Sequence, residues 1–289
     1  MQKKVCESIL NCAEEKTLFL VKDNYHIQQC RKCGHRFIQL PSVENRLKEV
    51  FSDPYFFDPK EGCYPDYLRG KDILDKAGLS YAKIVSKYTT PGKVLDVGCA
   101  AGFILKGFEK AGWIGQGLEP NDTMASYGRT ELNLDIHTGG FETYETDEKF
   151  DLVNWIQVMC TFHDVDKALI NLHSMLVENG LALVESWDMK SFTAKIMGKY
   201  WHEYCPPSVL NWYSDKTLIG LFNYHKFELI AKGRPVKRIM INHALARFDE
   251  GSPKFPFKKR MLKFFDRAVG KYSMRYPPMD LKWYIFRKL

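Results

Sequence analysis

Four cysteines crowd the first 33 residues of the chain: Cys6, Cys12, Cys30 and Cys33. In a reducing compartment, clustered thiols read as metal ligands sooner than as disulfides. The second pair carries the clearer signal. Cys30-Arg31-Lys32-Cys33-Gly34 has a two-residue gap that lets both sulfurs reach one tetrahedral Zn²⁺, and Gly34 permits a tight turn behind it. Arg31 and Lys32 are expected to help hold the thiolates ionised. The first pair is less regular, with five residues between Cys6 and Cys12 where about two to four is usual. His26 or His35 could replace a missing thiolate. The expectation is a structural zinc site held by Cys6, Cys12, Cys30 and Cys33. Its alternative is a cysteine-rich segment without metal.

A second constellation is Val94-Leu95-Asp96-Val97-Gly98-Cys99-Ala100-Ala101-Gly102. An apolar run ends in an acid, turns on small side chains and enters a helical pattern. Small residues let backbone approach a ligand, and a helix start offers free N–H groups. Glu119 lies 23 residues after Asp96, at the end of the next apolar run. An acid there can take both hydroxyls of a ribose. A dinucleotide site would ask for G-x-G-x-x-G around a pyrophosphate. This turn reads G-C-A-A-G instead, with an acid two residues before its first Gly.

The elements that must position these groups follow from periodicity. Strands are expected at Tyr25–Gln29 and Arg36–Leu40 around the second cysteine pair, and a helix over 71–88. From Pro91 the pattern alternates. Strands are expected at Lys93–Val97, Trp113–Leu118, Leu134–His137, Asp151–Ile156 and Leu181–Ser186. Between them lie helices at Phe103–Ala111, Asp122–Glu131 and Val165–Val177. A helix at Asp215–Tyr224 and strands at Phe227–Ala231 and Leu281–Phe286 complete the series. Such βαβ alternation predicts an α/β fold with a doubly wound, Rossmann-like parallel sheet. The division expected is 1–41 as a zinc-ribbon-like unit, 42–90 as an aromatic connector and helix, and 91–289 as the main domain. A basic helical insertion is expected near 247–278.

Composition sets outer limits. The 289 residues are 45% apolar and 27% charged, proportions of a folded globule rather than a disordered chain. No apolar run reaches about 18 residues, and MQKKVCESILNC lacks the apolar stretch of a secretory leader. A cytoplasmic location is therefore expected, with attachment to the inner face of a membrane as a variant. The net charge of +7 is uneven. Residues 247–289 carry 12 Lys and Arg against 4 Asp and Glu, so the rest of the chain is nearly neutral. Within 255–269, Phe257, Met261, Phe264, Phe265 and Ala268 fall near one helix face, with Lys258, Lys259, Lys263 and Arg267 mostly elsewhere. That pattern suits packing on the domain, contact with an anionic membrane surface, or contact with RNA phosphates.

The D-V-G-C-A-A-G turn followed by Glu119 resembles the class I S-adenosylmethionine-dependent methyltransferases. The resemblance implies that Asp96, Gly98, Cys99, Ala100 and Gly102 accommodate the cofactor's methionine part and that Glu119 binds its ribose. It places Phe141 or Glu142 at the adenine. Ala100 stands where that family usually has Gly. The cysteine pair C-x-x-C-G, the aromatics near Tyr55–Tyr67, Gly198-Lys199-Tyr200-Trp201, Pro206-Pro207, Tyr213-Ser214 and Met279–Lys288 resemble, in order and spacing, a bacterial subgroup with an N-terminal zinc ribbon. Members of that subgroup act on sugars, surface polysaccharides and small metabolites. The acceptor does not follow from membership; a sugar or other small-molecule acceptor is expected, one borne on a lipid-linked glycan included. RNA base methylation and cofactor binding without catalysis are the alternatives.

Two departures fall on the acceptor side. Cys160-Thr161 replaces the subgroup's usual acid-His pair, and Val209 replaces a His after the Pro-Pro pair. His163 and His202 lie near these positions and are the candidate general bases, since imidazole is suited to proton removal near neutral pH. Each could also be an ordinary polar residue. Trp155 and Gln157 are candidate pocket residues, and Cys160 a packed thiol.

Overall fold

The computed structural model describes residues 6–40, 46–58, 67–236, 238–240, 273–275 and 280–289. The N-terminal part contains α1 (Ile9–Glu14), β1 (Lys16–Lys22), β2 (Tyr25–Cys30) and β3 (Arg36–Phe37). Two short helices, α2 (Arg46–Val50) and α3 (Asp53–Phe57), precede α4 (Lys71–Val85). Alternation then begins: β4 (Lys93–Val97), α5 (Phe103–Lys110), β5 (Ile114–Glu119), α6 (Asp122–Leu132), β6 (Asp135–Thr138), β7 (Phe150–Ile156), α7 (Val165–Met175) and β8 (Leu176–Trp187). An insert holds α8 (Phe192–Met197) and β9 (Asn211–Trp212). The chain continues through α9 (Asp215–Tyr224), β10 (Phe227–Gly233), β11 (Arg238–Met240), β12 (Ser273–Arg275) and β13 (Leu281–Lys288).

Seven strands form the main sheet in the order β10-β13-β8-β7-β4-β5-β6. The five from β4 to β8 are parallel, and β13 and β10 add antiparallel at one edge. This is the doubly wound α/β sheet that the alternation predicts. Its strands are apolar on both faces. Leu95, Val153 and Val184 enter one core layer, whereas Val94, Leu152 and Leu183 enter the other. The period of two thus divides one apolar run between two helix layers.

The boundaries differ in instructive places. α7 stops at Met175 because Leu176 turns extended, two residues short of the expected end. Leu176 already pairs with Phe150, and the ladder then slips so that Leu181 pairs with Leu152. β1 escapes periodicity because it lies on a half-open sheet and exposes Leu18 and Val21. It closes on β2 through Asp23 and Asn24, both at positive φ, the geometry of a tight hairpin turn.

The small sheet runs β1-β2-β3-β9. Its last strand comes from the insert after β8, with Phe37 paired to Asn211 and Arg36 to Trp212. The strand expected over Arg36–Leu40 is therefore short, and Ile38 N–H goes instead to Leu210 C=O at 2.9 Å. The expected helix over 255–269, with Lys258, Lys259 and Arg260, lies outside the described residues, as does most of the proposed insertion near 247–278. Among the described residues, no helix is long and apolar enough to cross a membrane.

Candidate active site and thiol cluster

Parallel strands place their C-terminal ends on one edge of a sheet, and ligands gather there. β4 delivers Asp96 to that edge and then turns sharply. Gly98, Ala100 and Gly102 all take positive φ, at 64°, 49° and 80°. A Cβ on Gly98 would come within 2.7 Å of Val158 Cγ2, and one on Gly102 within 2.4 Å of Leu134 Cδ1. Conformation and crowding both demand the small residues that the sequence supplies. Ala100 adopts the same left-handed turn at some conformational cost, which accounts for its being the tolerated departure from Gly.

β5 delivers Glu119 beside this turn. Its Oε2 accepts the Ala100 N–H at 2.8 Å and its Oε1 the Asn121 N–H at 2.8 Å. A carboxylate has about four lone-pair positions, so each oxygen retains capacity for one further donor, such as a hydroxyl. Glu119 is 3% exposed. Burial lifts its pKa to about 7, opposed by the N–H groups of Asn121 and Ala100. Asp96 is also lifted to about 7, by burial first, with the Asn154 amide opposing and the Glu119 charge reinforcing. Asn154 is fully buried in β7 and paired alongside Asp96; its amide nitrogen faces that carboxyl, and its Oδ1 lacks a hydrogen-bond partner. Orphaned buried polar atoms are uncommon. Next to a turn of small residues and two buried acids, this one fits a polar group of a bound nucleoside or amino acid. Cys99 is buried, and burial raises its thiol, so it is present as a neutral side chain against Gly117.

Phe141 packs edge-on to Trp155 at 5.4 Å and tilts on Phe162 at 5.8 Å, which leaves it 3% exposed. It serves the core and offers little surface to a purine. Its neighbour Glu142 accepts the Asp164 N–H at 2.6 Å, with burial raising its pKa against the nearby His163 and Arg46 charges. Trp155 is likewise a core residue, fully buried.

Periodicity did not single out Glu185 at the end of β8. It is fully buried, accepts the Tyr81 hydroxyl and takes the Gln157 side-chain N–H at 2.8 Å. Gln157 itself has positive φ of 61°, so the β7 exit is bent where it meets the cofactor-type turn. The signal in the sequence was an acid inside the otherwise apolar run Leu181–Trp187. Arg46 was also missed. Its guanidinium is buried and donates to the C=O groups of Thr161 at 3.0 Å and Pro207 at 2.9 Å. It thereby ties the connector to the loop after β7 and to the loop before β9.

The two histidines differ in setting. His163 is exposed, with Nε2 3.4 Å from the Leu40 carbonyl. His202 is half-buried, with Nε2 3.2 Å from Glu203 Oε1 and its ring edge-on to Trp187 at 5.2 Å. Trp187 closes β8, so His202 stands at the edge of the sheet where β4 makes its turn. Cys160 is a buried thiol pushed up by burial, and its Sγ donates to Gln157 C=O at 3.4 Å.

The four N-terminal sulfurs come together. Cys6, Cys12, Cys30 and Cys33 place all Sγ atoms within 4.8 Å of one another. Cys6–Cys30 and Cys12–Cys33 are each 3.4 Å apart. Four thiolates on a tetrahedral Zn²⁺ at about 2.3 Å stand at about this mutual separation. The irregular first spacing is explained by α1, which Ser8 caps and which turns Cys12 back toward Cys6. Gly34 takes φ of 79°, and the His35 backbone N–H points at Cys33 Sγ, 3.4 Å away. Burial pushes Cys6 up to about 12, and contact with Cys33 raises Cys12 further, while that same contact lowers Cys33 to about 4. Sulfurs this crowded resist joint ionisation unless a cation neutralises them. The donor set therefore fits a zinc ion.

Lys32 pairs its ammonium chiefly with Glu15 at 2.7 Å, with the Cys6 thiolate a lesser charge partner. One sequence expectation needs correction here. His35 is no substitute ligand; its Nε2 lies 3.3 Å from Asn211 Oδ1, and burial lowers its pKa to about 4.

Comparison with known proteins gives this edge a family context. The sequence profile described as "Methyltransferase domain" matches residues 72–232. A ubiquinone biosynthesis O-methyltransferase of Bradyrhizobium diazoefficiens is 27% identical over 183 residues, covering 58% of this chain and 72% of that one. A protein of the same name from Rhodopseudomonas palustris is 26% identical over 128 residues, covering 42% of this chain and about half of its own length, 51%. Among solved structures, the magnesium protoporphyrin IX methyltransferase of Synechocystis, with SAH bound, superposes with a TM-score of 0.52 at 13% identity. That match covers 84% of this chain and 100% of the other. At such identity it speaks for the fold.

Proposed function

The chain belongs to the methyltransferase-domain family and is an S-adenosylmethionine-dependent methyltransferase; on that premise we propose that it methylates a hydroxyl of a sugar or other small acceptor, including one carried on a lipid. The observation that carries the cofactor assignment is the buried Glu119, bonded to the Ala100 and Asn121 N–H groups beside a turn of small residues. We assign the cofactor's methionine part to the Asp96–Gly102 turn, with Gly98, Cys99 and Ala100 presenting backbone, and its ribose to Glu119. At the purine end we assign Glu142, since Phe141 is enclosed in the core. When bound, the cofactor supplies an activated methyl group on sulfur. The chain's own work is to align the acceptor, exclude water and remove the hydroxyl proton. His202 takes that proton, and Glu203 stabilises the imidazolium that results. The two bacterial relatives, both O-methyltransferases by name, favour an oxygen acceptor.

The Cys6, Cys12, Cys30 and Cys33 cluster supports, on this reading, membership of the zinc-ribbon-bearing subgroup. A zinc ion there would cross-link the α1 segment to the turn after β2 and supply no chemistry at the acceptor.

The ribose assignment is tested by calorimetry with S-adenosylhomocysteine. Glu119→Ala should weaken binding by about 1–3 kcal/mol, the scale of hydrogen bonds to a charged group. Unchanged affinity refutes the assignment. Radiolabelled methyl transfer to glycan, small-molecule and RNA fractions identifies the acceptor, and label confined to RNA would overturn the hydroxyl proposal.

The raised acids add a pH dependence. A carboxyl that titrates near 7 when folded but at 4.5 in its unperturbed state binds more protons in the folded chain between those values. The ligand-free protein therefore loses stability as pH rises through that window. Hydroxyl donors favour the ionised acid, so S-adenosylhomocysteine affinity should climb over the same range and level off above about pH 7. Glu119→Gln should flatten the climb in a calorimetric pH series. An equally steep climb in the variant would locate the titrating group elsewhere.

A further inference from the structure

The segment between Asp188 and Glu203 contains Lys190, Lys195 and Lys199 and no acidic residue. Its helix α8 and the turn that follows carry three large apolar side chains outward. Phe192 is 62% exposed, Ile196 69% and Tyr200 70%. Phe192 and Ile196 are four residues apart and so share one face of α8. Single exposed apolar residues are ordinary, but three within nine positions, ringed by lysines, are not.

The segment is firmly held from beneath. Ala194 and Met197 turn inward to a cluster with Leu20, Tyr25, Tyr204 and Trp212. Trp201 is fully buried and donates its indole N–H to Asp280 Oδ2 at 3.0 Å. The outward ridge is therefore displayed by a fixed support. Lys199 sits over the Tyr200 ring at 5.1 Å, with both side chains on the exposed side.

We propose that the Phe192–Ile196–Tyr200 ridge is a docking surface for an anionic phospholipid bilayer. An aromatic and aliphatic ridge suits the boundary between headgroups and acyl chains, and surrounding lysines suit a negatively charged leaflet. Charge complementarity selects this occupant. A protein partner matching the ridge would need no uniform excess of lysine, whereas an anionic bilayer draws every lysine equally. The ridge leads directly into Trp201 and His202, so docking would bring the acceptor side to the lipid surface. The proposal extends the reading of a lipid-carried acceptor and fails separately from it.

The test is co-sedimentation of the full chain with phosphatidylcholine vesicles, with and without phosphatidylglycerol. Binding should appear with phosphatidylglycerol and decline as salt is raised. The double variant Phe192→Ser/Ile196→Ser should bind about tenfold more weakly, and Lys195→Glu/Lys199→Glu should lose the preference for phosphatidylglycerol. S-adenosylhomocysteine binding, measured by calorimetry on the same samples, shows that each variant is folded and isolates this proposal from the methyltransferase reading. No vesicle binding by a cofactor-competent wild type overturns it. So does wild-type binding that the Phe192→Ser/Ile196→Ser variant retains in full, which would move the contact elsewhere in the chain. Binding to RNA without binding to vesicles also overturns it.

Discussion

Replacing His202 by Gln should lower kcat by about 10²–10⁴-fold, the usual contribution of a positioned general base. Cofactor affinity should be unchanged, because Glu119 and the Gly98–Gly102 turn belong to other strands. The partner of the imidazole decides its role. Nε2 of His202 faces Glu203 at 3.2 Å, in a half-buried setting against Trp187. A carboxylate there steadies the protonated ring, as a base requires at the moment of transfer. His163, exposed and facing the Leu40 carbonyl, has a weaker setting for that role. His163→Gln should stay within about threefold of wild type. Assays use the acceptor found in the methyl-transfer screen. If His163→Gln abolishes turnover while His202→Gln leaves it intact, the assignment is wrong.

A strong chelator, or Cys30→Ser, should unfold the small sheet. Structural zinc sites contribute about 10–16 kcal/mol of apparent binding energy in small domains, and that energy is folding energy. Cys30 is fully buried, ends β2 and lies 3.4 Å from Cys6. Serine there removes a soft ligand and leaves a buried hydroxyl among sulfurs. We expect about one zinc per chain in the wild type by elemental analysis and a sub-stoichiometric amount in Cys30→Ser. The variant's thermal midpoint should fall by more than about 10 °C, given about 2–4 °C per kcal/mol for chains of this size. Cys205→Ser is the control. Its sulfur lies outside the cluster and donates to the His202 carbonyl at 3.3 Å, a bond that a hydroxyl can keep. A metal-free wild type that melts at the same temperature as Cys30→Ser would remove the zinc.

Much of the main sheet was legible because its signals are local. Val94–Val97 and Leu152–Val153 are apolar runs, and Gly98 and Gly102 punctuate the turn in single-residue steps. Asn121 and Ser214 cap α6 and α9 where a sequence reading expects helices to begin. What escaped depends on partners distant in the chain. β1 buries too little to show a period, and β9 is two residues long and has meaning only beside β3. Lys32 stands between two cysteines in sequence, but its direct ion pair is with Glu15, which only the fold brings near. Phe141 followed a family position, but packing against Trp155 and Phe162 decides where its ring lies. Glu185 needed Tyr81, far upstream, before its burial made sense.

The pairing of Phe37 with Asn211 has a consequence for biosynthesis. Translation delivers the first forty residues early, but their sheet waits for its final strand until the ribosome has released Trp212. During that interval Ile27 and Ile38 lack the covering that Leu210 and Trp212 later provide. The nascent chain must therefore carry an unfinished apolar surface through most of its elongation, and any metal captured early is held by a scaffold still missing its outer wall.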